Sequence, residues 1–165
     1  MTTSRVPAVI DYLVTTFQAA ATLGQATPPV TVIDGPAVTA DPGPLALWVG
    51  ADDIESATPA AADSTQDWAA LGHQARNEQL AIHCTAQAWS GDDDVRSLRL
   101  AAAAIVSAVE DLVRNDSSLG GTVSIPGNAA VTSAQWLQGP ALAGQNRGMA
   151  ARVSFDITAK ARIGG

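Results

Sequence analysis

With 165 residues, 47% of them hydrophobic, the chain has the size and apolar content of one domain built on one core. A net charge of −7 with only nine scattered Lys and Arg offers no basic patch for clamping phosphates, and a single cysteine, Cys84, excludes an intrachain disulfide and a zinc finger. Asp11 interrupts the first apolar stretch, so no secretory leader is read there. No run approaches the roughly 20 apolar residues of a membrane span, and the expected setting is a cytoplasm-like compartment.

Residues 4 to 23 read as an amphipathic helix. Ser4 is placed to cap it, Pro7 sits in the first turn where a missing N–H costs nothing, and Gly24 ends it. Val6, Val9, Ile10, Leu13, Val14 and Phe17 recur at helical spacing and form its apolar face. "PPVTVIDGP" then gives a short strand stopped by a turn, and "LALWVGAD", residues 45 to 52, a second. Residues 53 to 65 read as a polar, alanine-rich loop, and "QDWAALG" as a short strand or turn.

Residues 75 to 89 alternate. Glu78, Leu80, Ile82, Cys84, Ala86 and Ala88 share one face, and Gln79, Ala81, His83, Thr85, Gln87 and Trp89 the other. This predicts a long, half-buried strand. A second helix follows over residues 92 to 115, with Val95, Leu98, Ala102, Ile105, Val106, Val109, Leu112 and Val113 in its apolar stripe. "GGTVSIPGN" and "AAVTSAQWLQG" read as two short strands. Residues 149 to 163 alternate again, with Ala151, Val153, Phe155, Ile157 and Ala159 directed inward. Strands in hairpin-like succession, with helices at two points, predict a single α+β domain over residues 1 to 165: an antiparallel β-sheet packed against two α-helices.

A search for chemistry finds no catalytic constellation, no cofactor fingerprint and no metal site. Successive helix residues point about 100° apart, so Asp92, Asp93 and Asp94 cannot converge on one ion from within a helix. Acidic residues at a helix start are instead the ordinary capping signal, and Asp92 or Asp93 is read as the N-cap. His83 and Cys84 are adjacent on a strand, face opposite sides, and so cannot form a base–nucleophile pair. His73 falls in a loop. "GGTVSIPGN" lacks the Gly-Lys-Ser/Thr ending of a phosphate loop, and "GPALAGQNRG" does not open a helix. Of the four tryptophans, Trp48 is read as core, and Trp68, Trp89 and Trp136 as candidate interface residues, since tryptophan anchors interfaces as readily as cores.

The opening helix "VPAVIDYLVTTFQAA", the strand–helix junction "NEQLAIHCTAQAWSGDDDVRSLRLAAAAIVSAVEDLV" and the terminal strand "MAARVSFDITAKA" together resemble the tail terminator (tail completion) proteins of long-tailed bacteriophages. The similarity spans nearly the whole chain and rests on the order of elements and that one junction. It implies an α+β fold forming a ring, usually of six subunits, that caps the tail tube at its final length and meets the head–tail connector or stopper. The implied partners are other copies of the chain, the tube protein and the connector, with DNA passing through the lumen without specific binding. The implied location is the virion, at the junction of tail and neck. The chain departs from shorter members at residues 53 to 74 and 126 to 148, which read as insertions that reach neighbours. Two alternatives remain open: another neck component or tube subunit, and a small ligand-binding or hydrolytic domain using His73, His83, Cys84 or Asp11.

Overall fold

The computed structural model describes residues 3–36, 41–69, 75–125, 127–143 and 146–164. Its first helix, α1, spans Val6–Ala19 and buries Val9, Leu13 and Phe17, one residue per turn on one face. The capping position falls on Arg5, which makes no side-chain cap hydrogen bond, and not on Ser4; from one residue further out Ser4 Oγ accepts the Val6 N–H at 3.1 Å. The helix ends four residues earlier than its apolar pattern suggests, because Leu23 folds back into the core by way of a turn. Gly24 N–H donates to the Phe17 carbonyl at 3.0 Å, and a Cβ on Gly24 would lie 2.2 Å from the Gln18 carbonyl oxygen, so no larger residue fits.

Four strands follow: β1 (Thr31–Asp34), β2 (Leu45–Val49), β3 (Ala62–Trp68) and β4 (Arg76–Ser90). Helix α2 (Val95–Asn115) then leads to β5 (Ala130–Ala143) and β6 (Asn146–Ile163). The long β4 organises the sheet. One of its edges is shared end to end by two strands: β3 pairs from Ala62↔Ile82 to Trp68↔Arg76, and β2 from Val49↔Cys84 to Leu45↔Ala88. Its other edge pairs with β6 along its full length, from Arg76↔Ile163 to Ser90↔Met149. β5 lies outside β6 and forms one border of the sheet. All these pairings are antiparallel; β1 runs parallel to β2 at the opposite border.

The alternation read in the sequence is the alternation of the sheet. Leu80, Ile82, Cys84, Ala86 and Ala88 of β4 and Val153, Phe155, Ile157 and Ala159 of β6 are buried against the helices. Helix α2 contributes Leu98, Ala102, Ile105, Val109 and Val113, and α1 adds Val9, Leu13 and Phe17. This is the α+β arrangement expected, an antiparallel sheet on two helices, with the parallel β1–β2 pair as the exception. The helices cover only one face of the sheet. The other carries the polar residues of β4 and β6, and a small cluster of Ala46, Trp48 and Ala51 with Ile33 and Ile54. Trp48 is therefore core, as expected, but in this satellite and not under the helices.

Two stretches differ from expectation. Residues 53 to 74 are not a plain loop, since they contain β3, whose sequence ADSTQDW offers no buried apolar face and takes its conformation from pairing with β4. The described residues from 127 to 148 are not mainly loop. They hold β5, which is 14 residues long, while the described part of "GGTVSIPGN" forms turns and bends.

Candidate functional site

The three candidate tryptophans occupy different places. Trp68 ends β3 and is 71% exposed. Trp136, in the middle of β5, is 51% exposed and sits level with Val153 on the helix side of the sheet. Trp68 is level with Ile163, ten residues from Val153 along β6, or about 33 Å. Trp89 is level with Ala150 on the opposite face and only partly exposed. Its indole lies over Gly148, where an added Cβ would come within 2.8 Å of the ring, and its Nε1–H donates to the Ala141 carbonyl at 3.5 Å. The fold thus uses Trp89 to lock the end of β4 onto the β5–β6 hairpin, and it leaves Trp68 and Trp136 outward on two separate patches.

The exposed apolar side chains of β5 lie on both faces of the sheet, Leu142 on the side of Trp136 and Leu137 on the other. Leu137 and Leu142 are 50% and 68% exposed, and the strand contains no charged residue. Its sequence, AVTSAQWLQGPALA, reads as a short strand because Gly139 and Pro140 punctuate it. Pro140 is tolerated because β5 is an edge strand, and the pairing with β6 continues past it to Ala143.

The aspartate triplet is resolved at the level of individual residues, and the expected cap is corrected by two positions or one. Helix α2 begins at Val95, so the capping position falls on Asp94, not on Asp92 or Asp93. Asp94 Oδ1 accepts the Ser97 N–H at 3.1 Å, and its other oxygen accepts from Ser97 Oγ. Those hydrogen bonds hold the Asp94 carboxyl below its ordinary range. Asp92 and Asp93 precede the helix: Asp92 N–H donates to Ser90 Oγ at 3.1 Å, and the Asp93 carbonyl accepts from Val95 N–H at 2.9 Å. The correction follows from the chain path, since Gly91 to Asp93 are consumed in turning from β4 to α2.

On the face away from the helices, residues 52 to 55 and β5 flank a cavity of about 640 Å³ floored by β4 and β6. His83 Nδ1 lies 2.6 Å from Asp156 Oδ1, and its Nε2 lies 3.4 Å from Asp63 Oδ2. Thr85 Oγ1 donates to the Ala51 carbonyl at 3.1 Å, and Arg152 Nε donates to Gln87 Oε1 at 2.7 Å while its guanidinium also pairs with Glu55. His83 is therefore engaged by carboxylates and not by a hydroxyl or thiol. Cys84 faces the opposite side, fully buried, and burial pushes its thiol up to about 12. Asp11 is exposed on α1, away from this cavity, and His73 lies outside the described residues. Among the described residues no group of three His, Cys, Asp or Glu is arranged to hold a metal ion.

One residue that the sequence placed simply on the apolar face of β4 has a larger part. Glu78 is fully buried and accepts hydrogen bonds from Ser4 Oγ (2.6 Å), the Arg5 N–H (2.7 Å), Ser64 Oγ (2.6 Å) and Gln66 Nε2 (3.2 Å). Burial acts to raise its carboxyl, but the hydrogen bonds from Ser4, Ser64, Arg5 and Gln66 outweigh it and hold the group below its ordinary value. A glutamate in an otherwise apolar alternation was the available signal, because a buried charge has to be paired.

No model of a known protein family matches the chain, and no curated protein matches it. Among the described residues no helix is long and apolar enough to cross a membrane.

Proposed function

We propose that this chain is a tail terminator: a structural virion protein that forms a ring of six subunits on the end of a phage tail tube, stops its elongation and meets the head–tail connector. The observation that carries the reading is β5, a 14-residue border strand without charge that exposes Trp136, Leu137 and Leu142. Soluble proteins blunt such edges with charge, proline or a bulge, or cover them; β5 has Pro140 and a bulge but no charge, and its exposed apolar side chains favour a chain that works inside an assembly. A ring contact joins two different patches head to tail, and a sheet edge at one border with a second exposed aromatic, Trp68, at a distance is compatible with that requirement. The low charge content, 15%, points the same way.

A tail-tube subunit is the second reading, favoured by the β5–β6 hairpin, whose strands of 14 and 18 residues are longer than the sequence suggests. Electron microscopy of the purified protein mixed with headless tail tubes separates the two. A terminator caps one tube end as a ring and halts growth, and Trp136→Ala weakens capping. Growth of tubes from this protein alone would favour the tube subunit, and a protein that neither forms rings nor binds tubes would refute both.

A further inference from the structure

We infer that the free chain forms a two-fold dimer in which β5 pairs antiparallel with β5 of a second copy, centred on Gln138. Three described strands have an unpaired edge: β1, β3 and β5. β1 has four residues and ends in Asp34. β3 carries Asp63 and Asp67, which would face each other in a self-pairing centred on Thr65, and like charges directly opposite destabilise a sheet. β5 has neither defect, since it is long and uncharged, and the features that blunt it are Pro140 and the bulge at Ser133.

Its side chains are also complementary to themselves. A bulge at Ser133, where φ is 52°, interrupts the ladder with β6, and from Ala134 to Ala143 the ladder is unbroken. A two-fold axis normal to the sheet at Gln138 keeps matched residues on the same face. It sets Trp136 opposite Pro140, Leu137 opposite Gly139 and Leu142 opposite Ala134, so each large exposed side chain meets a small or flat one. Gln138 meets its own copy, and a primary amide both donates and accepts. Pro140 withholds one donor on each side, and its ring is the surface on which Trp136 packs. A two-fold contact closes on itself and does not propagate round a ring. The dimer is therefore a stored form of the free chain that goes beyond the ring reading: it covers the edge until contact with the tube takes its place.

The test combines solution mass with thiol trapping. Cys84 is the sole cysteine and is buried, so an introduced surface thiol reports alone. Wild type is expected to sediment as a dimer at micromolar concentration, Gln138→Cys to give a covalent dimer on oxidation, and Thr132→Cys, well away from the axis, to give none. Leu137→Lys, at an exposed position that leaves the fold intact by circular dichroism, is expected to weaken association about tenfold or more. A monomeric wild type, equal trapping at Thr132 and Gln138, or a Leu137→Lys variant that associates like wild type would overturn the dimer. None of these results bears on tube capping, so the ring reading stands or falls by microscopy.

Discussion

Asp92, Asp93 and Asp94 have the same side chain and are all exposed, yet only one caps a helix. What separates them is which residue the chain places immediately before the first helical turn. Asp94→Ala is expected to lower the melting temperature, whereas Asp92→Ala and Asp93→Ala leave it nearly unchanged; thermal unfolding of the three variants side by side checks this. Equal losses at all three positions would mean that the triplet acts through general charge at the helix end and not through the Ser97 contact. The composition DDD before an apolar run was enough to locate the helix start. It was not enough to choose the residue, because capping depends on backbone angles that the turn from β4 imposes.

At the scale of elements, the junction of β4, α2 and the β5–β6 hairpin is held by close approach. A Cβ at Gly148 would lie 2.2 Å from the Ser90 carbonyl oxygen and 2.8 Å from the Trp89 ring. Backbone cannot swing aside as a flexible side chain can, so Gly148→Ala is expected to cost about 1–3 kcal/mol, as overpacking does. Chemical denaturation gives the loss, and tryptophan emission reports the displaced Trp89 ring. The alternation of residues 75 to 89 and 149 to 163 fixed these strands and their faces before any pairing was known. β3 and β5 were poorly legible for opposite reasons. β3 is almost wholly polar, and β5 is apolar on both faces and broken by Gly139 and Pro140, so neither shows the period-two contrast that a half-buried strand displays.

Across the whole molecule, two carboxyls tie distant segments together. Glu78 joins the start of α1 to β3 and β4, and Asp116, at the end of α2, accepts from Tyr12 Oη of α1 at 2.7 Å. Hydrogen bonds from Ser118, Tyr12 and the Gly120 N–H hold the Asp116 carboxyl at about 2. Both groups are more acidic folded than unfolded. Their contribution is therefore present above the unfolded value, about 4, and is lost as pH falls through the folded one, for Asp116 between about 4 and about 2. Glu78→Ala strands four donors, three of them side chains, and is expected to cost about 3 kcal/mol at neutral pH. Glu78→Gln is expected to flatten the acid limb of the stability–pH curve; urea titrations from pH 7 to pH 3 measure both. An unchanged acid limb in Glu78→Gln would assign the acid sensitivity to other carboxyls.

The sequence by itself determined the two helices, the inward faces of β4 and β6, the separation of His83 from Cys84, and the α+β class, because each follows from local periodicity and from the fixed directions of successive side chains. Only the tertiary structure decided which aspartate caps α2, that Glu78 gathers four donors from β3 and from the two residues before α1, that Trp89 packs over Gly148 while Trp68 and Trp136 face outward, and that an uncharged β5 forms a border of the sheet. Those outcomes depend on which strand lies beside which, and strand neighbours distant in sequence are set by the packing of the whole core, which local patterns do not encode.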